Sequence, residues 1–291
     1  MTPMTRRKHS RPPPPPPRDA ALQQPAPENR RASEAGGGEH WLYGLHVVLA
    51  ALRNRERKIT RLLTTEGCME QNGAQIEALL DERIEFAPPL HPERAGRDSI
   101  EHVLPKGAVH QGIAARVRPL TPQTVEDIPA AAPGERRIVL ALDRVTDPHN
   151  VGAILRSAAV FGADAVLATD RHSPPETGAL AKSASGALDA VPLVRVGNLS
   201  RALADLKDKG YWVVGLDGEA KDLMGDIKLP DAAVLVLGAE GDGARRLTLE
   251  GCDILVRLPV APAAAAAGID SLNVSNAAAI ALYEFARRRQ G

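Results

Sequence analysis

Residues 268–279, which read Gly-Ile-Asp-Ser-Leu-Asn-Val-Ser-Asn-Ala-Ala-Ala, lead from a tight polar loop into an alanine-rich helix. Ser275 is placed to cap the free backbone N–H groups at the start of that helix. Ser271, Asn273 and Asn276 crowd further hydrogen-bonding side chains around the same entrance. A helix that only packs needs one such side chain, so the excess of polar groups predicts a functional site.

A second polar segment, residues 143–158, follows the apolar run 138–142, which predicts a buried strand. The next residues have the spacing of a helix with one apolar face, and Asn150 occupies the expected cap position. On that helix Arg156 is predicted to project from the side opposite Ile154. The segment therefore predicts a strand, a loop and a helix that carries polar side chains.

The third segment, residues 234–243, is an apolar strand that runs into Gly-Ala-Glu-Gly-Asp-Gly. Three glycines in six residues permit positive φ angles and let a ligand approach the backbone closely. A dinucleotide-binding fingerprint has a different glycine order and follows the first strand, and the sequence contains no G-x-x-x-x-G-K-[ST] phosphate loop. From the residues alone, a nucleotide-like ligand and a plain tight turn both remain open.

These three segments, in this order and spacing, resemble the signature motifs of the SpoU/TrmH family of RNA ribose 2′-O-methyltransferases. Residues 43–48 and 104–115 resemble the start and end of a small RNA-binding domain found in one branch, which methylates a guanosine of 23S rRNA. The resemblance implies an α/β fold in which the C-terminal parallel-sheet domain contains a deep trefoil knot. The small α/β RNA-binding domain precedes it.

Composition and this resemblance together divide the chain into four segments. Residues 1–39 include six consecutive prolines and predict a disordered tail. Residues 40–118 predict the small α/β RNA-binding domain, and the proline-rich residues 119–136 predict a linker. Residues 137–291 alternate strand and helix patterns, which is typical of a parallel sheet covered on both faces, and form the expected methyltransferase domain.

The resemblance implies that S-adenosylmethionine is the cofactor. It is expected to be held largely by backbone groups of Gly238, Leu258 and Leu272, all at strand ends or loops of the C-terminal domain. The sequence departs from the family pattern in residues 260–267, where an alanine-rich insertion lengthens the loop that follows Leu258. We expect this longer loop to loosen the cofactor pocket.

The expected catalytic residues are Asn150, Arg156, Glu240, Ser271 and Asn273. The resemblance assigns activation of the ribose hydroxyl to Arg156. Because a guanidinium stays protonated, we expect Arg156 to stabilise the developing alkoxide and to hold the adjacent phosphate. Asn150, Ser271 and Asn273 are expected to orient the ribose and the loop, and Glu240 to order either Arg156 or the loop.

Other polar residues are expected to play no part in the chemistry. His149 and His172 could titrate near neutral pH but match no catalytic position of the family, so we interpret both as loop histidines. Residues 182–187 predict a polar surface loop. The two cysteines lack metal-ligand or disulfide spacing and are expected to be reduced thiols, and no metal is required.

The composition limits the mode of RNA binding. The net charge is zero and aromatic residues make up 3% of the chain, so RNA affinity must come from local patches rather than from a global field or a broad stacking platform. No apolar run is long enough to cross a membrane. We expect a cytoplasmic homodimer that buries part of the final helix, including Ile280, Ala281, Tyr283, Glu284 and Phe285.

Two alternatives to 23S rRNA methylation remain open. The same chemistry could act on tRNA, although the separate N-terminal domain favours 23S rRNA as the partner. A catalytically silent RNA-binding or ribosome-assembly protein could retain the fold. The intact catalytic set argues against the silent protein, whereas the insertion at residues 260–267 keeps that alternative open.

Overall fold

A computed structural model describes residues 38–171, 173–269 and 271–287. The tail expected over residues 1–39 therefore lies outside the described residues, except for its last two. The chain builds two sheets with their own helices, one from the residues before 118 and one from the residues after 136.

The smaller unit has four strands and three helices. In chain order these are β1 (His40–Tyr43), α1 (Leu45–Arg53), β2 (Ile59–Thr64), α2 (Glu66–Ile84), β3 (Pro92–Arg94), α3 (Arg97–Val103) and β4 (Ile113–Val117). The strand order is β1-β4-β2-β3, with β4 antiparallel to both of its neighbours and β3 parallel to β2. Apolar residues of α1 and α2 cover one face of this sheet and form its core.

The larger unit is built from alternating strands and helices. They are β5 (Arg137–Asp143), α4 (Pro148–Phe161), β6 (Ala165–Thr169), α5 (Gly178–Ala184), β7 (Leu193–Val196), α6 (Leu199–Asp208), β8 (Trp212–Leu216), β9 (Asp222–Leu223), β10 (Ala232–Gly238), α7 (Arg246–Glu250), β11 (Ile254–Arg257), α8 (Pro262–Ala266) and α9 (Val274–Arg287). Two one-turn 3₁₀ helices, Val125–Asp127 and Ala187–Asp189, complete the described structure.

The seven-stranded sheet is parallel at every pairing, with the order β7-β6-β5-β10-β8-β11-β9. Its central strands β5 and β10 are buried on both faces, as the unbroken apolar runs predict. The expected α/β class and parallel sheet are thereby confirmed. The register places Asp143 opposite Gly238, so the loops that follow these strands meet at one edge. The trefoil knot stays a prediction of the resemblance.

Helix α5 lies between the two units, so the prediction of a surface loop at residues 182–187 is wrong. Its side chains at Leu180 and Ala184 are buried against α4 and the small unit. Glycines make this close packing possible. An added Cβ at Gly152 would lie 2.8 Å from the backbone nitrogen of Ala184, and one at Gly178 would lie 2.5 Å from the carbonyl oxygen of Trp41.

An ion-pair cluster joins the two units beside α5. The guanidinium of Arg57 donates through Nε to Asp189 at 2.7 Å and through Nη1 to Glu176 at 2.6 Å. Burial disfavours the charged guanidinium, but the hydrogen bonds and charges of Asp189 and Glu176 outweigh it, and the pKa of Arg57 is raised. A buried cation thus holds the small unit to the larger one.

The proline-rich segment predicted as a linker is attached to the larger unit. Val125 and Ile128 are buried in the core that α6 covers. The ammonium of Lys209 donates to the carbonyl oxygens of Val125, Glu126 and Ile128 at 2.9, 2.7 and 2.6 Å. This part of the connection is therefore fixed in place rather than a free tether.

Candidate functional site

Three expected catalytic residues from distant parts of the chain meet at the carboxyl edge of the parallel sheet. The side-chain amide of Asn150 donates to Oε1 of Glu240 at 2.9 Å. The amide of Asn273 donates to Oδ1 of Asn150 at 3.0 Å and also to Oε1 of Glu240. We call these three residues the amide clamp. It ties α4, the loop after β10 and the start of α9 together.

The orientation of Asn273 follows from its second role as the cap of α9. Its Oδ1 accepts from the backbone N–H of Ser275 at 2.9 Å and of Asn276 at 3.4 Å, as well as from the Ser275 hydroxyl at 2.6 Å. With the oxygen facing the helix, the nitrogen must face Glu240. The prediction that Ser275 caps this helix is wrong, because the helix begins at Val274 and Ser275 needs capping itself.

Asn150 is free to join the clamp because it does not cap α4. The helix begins at Pro148, and Asp147 is the cap, with its side chain accepting from the backbone N–H of His149 at 2.9 Å. Proline suits the first helical position since its missing N–H would have no helical partner there. The prediction of Asn150 as the cap is therefore wrong by one turn, and its amide points to Glu240 instead.

Arg156 lies on the exposed face of α4, whereas Ile154 is fully buried, as the helical spacing predicts. Within the described ranges, its guanidinium makes no hydrogen bond or ion pair to another side chain. Glu240 was expected to order either Arg156 or the loop; among the described residues it accepts from Asn150 of α4 and from Asn273 at the start of α9, and has no contact with Arg156. The charge of Arg156 is thus unpaired in the described part of the chain, on the exposed face of α4, and available to a ligand.

A buried carboxylate that the sequence analysis missed organises the loop after β10. Asp143 ends β5 and is completely buried; it accepts from the backbone N–H of Arg245 at 2.9 Å and from its Nε at 2.8 Å. The Thr248 hydroxyl donates to the same carboxylate at 2.8 Å. Asp143 therefore fastens the start of α7 to the end of β5. The available signal was an aspartate that closes an otherwise apolar strand.

The glycine-rich loop folds back on its own strand. Ala239 and Gly243 exchange two backbone hydrogen bonds of 3.1 and 3.0 Å, and an added Cβ at Gly238 would collide with the backbone at 243 and 244. Gly241 and Gly243 have φ angles of +81° and +67°, with open space where a side chain would stand. The loop is a tight turn, and its outer surface lets another molecule reach the backbone.

The other residues expected to contact the cofactor lie on loops at the same edge. Leu258 is half-buried against the core, while Leu272 is 44% exposed and Ile269 lies exposed nearby in the chain. Exposed apolar side chains on these loops, together with the open space at Gly241 and Gly243, suit a purine ring, which has apolar faces and polar edges. The residues present thus fit an adenosyl group. The insertion predicted as a loop contains the short helix α8.

The other polar residues considered in the sequence have different surroundings. Ser271 is exposed beside the clamp. His149 lies 3.2 Å from the Ser183 hydroxyl through Nδ1, so it connects α4 to α5. His172 lies outside the described residues. Burial raises the pKa of Cys68, and it raises that of Cys252 to about 11, so neither thiol is an activated nucleophile.

Within residues 38–171, 173–269 and 271–287, no three His, Cys, Asp or Glu side chains lie close enough together to hold a metal ion. The helices of these ranges are too short or too polar to span a lipid bilayer.

Comparison with known proteins gives two family matches and close relatives. Residues 137–283 match the SpoU rRNA methylase family, and residues 41–123 match the domain described as RNA 2′-O ribose methyltransferase substrate binding. The chain is 40% identical over 255 residues to the 23S rRNA (guanosine-2′-O-)-methyltransferase RlmB of Vibrio vulnificus, covering 86% of this chain and 97% of that protein. Identity to the same protein of Photobacterium profundum is 39%, covering 86% and 98%.

Solved structures agree on the fold. A crystal structure of an RNA 2′-O ribose methyltransferase matches with a TM-score of 0.67 and 25% identity, covering 91% of this chain and 98% of that one. The SpoU methyltransferase AviRb from Streptomyces viridochromogenes, solved with the cofactor AdoMet, matches with a TM-score of 0.69 and 22% identity, covering 87% and 91%.

Proposed function

The chain belongs to the SpoU rRNA methylase family, and we propose that it transfers a methyl group from S-adenosylmethionine to the ribose 2′-hydroxyl of a guanosine in 23S rRNA. The observation that carries this proposal is the convergence of Asn150, Glu240 and Asn273 in a chain that spans nearly the whole length of relatives named for that reaction. The small unit, matched to a substrate-binding domain, supports rRNA as the substrate.

In the proposed reaction the cofactor supplies a methyl group on a good leaving group, so the work of the protein is positioning and charge stabilisation. Arg156 holds the phosphate next to the reacting ribose and stabilises the negative charge that develops on its 2′-oxygen. The amide clamp fixes the loop of Ser271 and the start of α9 relative to α4, which carries Arg156. The clamp thereby keeps the ribose and Arg156 in a fixed relative position.

We assign cofactor binding to backbone groups of Gly238, Leu258 and Leu272. The collision that a Cβ at Gly238 would cause shows that its own loop already fills that space, so its contribution is a backbone group. Leu272 precedes the capping residue of α9, so its backbone position depends on the clamp. The knot that the resemblance implies would bring these three segments around one ligand.

We further propose a homodimer that acts in the cytoplasm. Three large side chains that could contribute to a dimer contact are exposed: Val160 of α4, which is 74% exposed, and Ile280 and Tyr283 of α9, of which Tyr283 is 53% exposed. Helices α4 and α9 pack together, so these side chains belong to neighbouring elements. Ala281 and Phe285, which the sequence analysis placed in the dimer contact, are buried in the core of the single chain.

The test is nucleoside analysis by mass spectrometry of unmodified 23S rRNA incubated with the protein and S-adenosylmethionine. New 2′-O-methylguanosine is the expected product. Methylation of tRNA instead of 23S rRNA would overturn the substrate and leave the chemistry intact. No methylation of either RNA would favour a silent RNA-binding protein. Arg156→Lys is the matched variant, because it keeps the charge and removes the planar, bidentate guanidinium.

A further inference from the structure

A cavity of about 890 Å³ opens on the small unit, between the end of α1, the end of α2 and the linker. Its wall carries five basic residues and two acidic ones, namely Arg55, Arg57, Lys58, Arg83 and Arg118 against Glu56 and Asp127. Two of the basic residues are paired with carboxylates outside the wall, Arg57 with Asp189 and Glu176, and Arg118 with Glu39, which leaves three cations against two carboxylates. Since the whole chain has a net charge of zero, this excess is a local feature. It is the kind of patch from which RNA affinity must come.

The positive charge of this cavity is only partly neutralised. Arg83 is 3% exposed, and its hydrogen bonds go to backbone carbonyl oxygens, including that of Arg57 at 2.7 Å. Among the described residues no carboxylate lies within ion-pair distance of Arg83, and its Nε has no hydrogen-bond partner. Arg55 and Lys58 are exposed and likewise form no ion pair with the described residues. Arg83 is thus a buried guanidinium without a carboxylate partner among these residues, and Arg55 and Lys58 add two unpaired positive charges to the same cavity. This arrangement favours an anionic ligand.

An aromatic ring lies among these cations. The guanidinium carbons of Arg55 and Arg83 are 5.2 and 5.3 Å from the ring centre of Phe86, which lines the cavity. Unstacked bases of single-stranded RNA bind aromatic rings and guanidinium planes, while Lys and Arg side chains bind the phosphates. The cavity therefore combines the two kinds of group that a nucleotide of single-stranded RNA requires.

A second cavity, of about 680 Å³, provides a contrast within the same unit. It also has arginines in its wall, but Arg94 lies 3.9 Å from Glu66 and Arg97 lies 3.2 Å from Glu101. Its positive charges are thus paired with carboxylates. Of these two cavities, the first has basic side chains, Arg55 and Lys58, that form no ion pair with the described residues.

The first cavity is separated from the catalytic edge by the length of α1. Gln111 accepts from the backbone N–H of Leu45 at 3.1 Å and from Nζ of Lys182 at 3.4 Å, so the start of α1 faces α5. The neighbouring Ser183 contacts His149 near the amide clamp. The cavity begins beyond the other end of this nine-residue helix, roughly 14 Å further on. A phosphate bound there does not flank the methylated ribose.

We propose that this cavity binds a backbone phosphate of single-stranded 23S rRNA through Arg55 and Lys58, with a neighbouring base against Phe86, at a distance from the methylated nucleotide. The inference rests on the proposed function for the identity of the RNA. It adds a substrate site that sets the position of the RNA on the small unit before the ribose reaches Arg156.

The test compares two double variants of the full chain with equal loss of charge. Arg55→Ala with Lys58→Ala should weaken binding to unmodified 23S rRNA about tenfold and lower the slope of log affinity against log salt by about 0.7, the value for one phosphate of a single strand. The control, Arg94→Ala with Arg97→Ala, should change affinity by less than about threefold. At saturating RNA, kcat of the cavity variant should equal that of the wild type, with only KM raised.

Equal weakening by both double variants would overturn the proposal, because it would show a diffuse charge effect. Unchanged binding by the cavity variant would overturn it as well. Phe86→Leu is expected to weaken binding roughly tenfold with the salt slope unchanged, because it removes stacking and no charge. The binding comparison needs no methyl transfer, so it decides this inference even if the rRNA proves not to be methylated and the proposed function fails.

Discussion

Arg57 of the small unit and Asp189 of the larger unit form an ion pair of 2.7 Å, and the two side chains are 0% and 1% exposed. The same carboxylate accepts from the side-chain amide of Asn54 at 3.1 Å. Pairs buried to this degree are sensitive to loss of one partner, because the remaining charge stays in a medium of low polarity. This contact between the two units is therefore a determinant of the stability of the protein.

Asp189→Ala is expected to lower the free energy of unfolding by roughly 3 kcal/mol, because among the described residues Arg57 then keeps Glu176 as its one carboxylate partner. Urea titration followed by circular dichroism measures this loss. The control is Glu93→Ala, which breaks the exposed pair with Arg61 and should cost less than about 1 kcal/mol. A loss of similar size in both variants would contradict the importance of the buried pair.

Asn273 performs two functions that one substitution can separate. Asn273→Asp keeps an oxygen for the N–H groups of α9, where a negative charge is favourable, but it places a carboxylate against Glu240. Stability should change by less than about 1 kcal/mol, whereas methyl transfer should fall about a hundredfold. Adding Glu240→Gln restores a donor and should recover at least about tenfold of the activity. No recovery would argue against the clamp.

Asp143→Asn should act on the cofactor side of the site. It weakens three hydrogen bonds to Arg245 and Thr248 that hold the loop after β10, and such bonds to a charged group contribute about 2 kcal/mol. We expect KM for S-adenosylmethionine to rise roughly tenfold. Thr248→Val removes one of these bonds and should have a smaller effect. Equal KM values for Asp143→Asn and the wild type would refute the assigned role.

Replacing Gly152 or Gly73 with alanine should change the stability of the protein in opposite directions. Both lie in helices, where alanine is favoured over glycine by about 1 kcal/mol. A Cβ at Gly152 collides with α5, so Gly152→Ala should destabilise the protein by about 1–3 kcal/mol. At Gly73 the nearest atom is the Met69 methyl at 3.6 Å, and Gly73→Ala should stabilise it. Differential scanning calorimetry gives both values.

His40 should make stability depend on pH below neutrality. Burial lowers its pKa from 6.5 against the opposing pull of Glu176, and the nearby Arg57 lowers it further. The unfolded chain therefore takes up a proton at a higher pH than the folded chain, so the free energy of unfolding should decrease as pH falls from 7 through 6.5. Urea midpoints at pH 7.5 and 5.5 test this. His40→Gln should reduce this dependence, and an unchanged dependence in that variant would contradict the role of His40.

Local structure was largely predictable where one pattern dominated. The apolar runs of β5 and β10 predicted buried strands, and the spacing of buried residues predicted α4. The start of α4 was misplaced because Asp147-Pro148 is itself a strong start signal, one turn before Asn150. The cap of α9 was misplaced by two residues for a similar reason, since several polar side chains competed for one position.

Contacts between distant segments were not predictable from local patterns. The spacing of apolar residues along the sequence does not indicate that β10 pairs with β5. It also does not indicate that Arg57 contacts Asp189. Residues 182–187, which include the end of α5, were predicted as a surface loop because several of them are small or polar, which is typical of a loop. In the structure small residues are needed there because two other segments approach its backbone closely. The convergence at the catalytic edge was expected only because the resemblance to the family supplied it.

The position of α5 has a consequence for the modularity of this architecture. Because Gly178 meets the small unit and Gly152 of α4 meets α5, the small unit and α4 both pack against one seven-residue helix. A chimaera that replaces the small unit with that of a relative inherits a mismatched surface unless α5 is exchanged with it. The recombination boundary should therefore be drawn around α5, inside the larger unit, and not at the proline-rich linker.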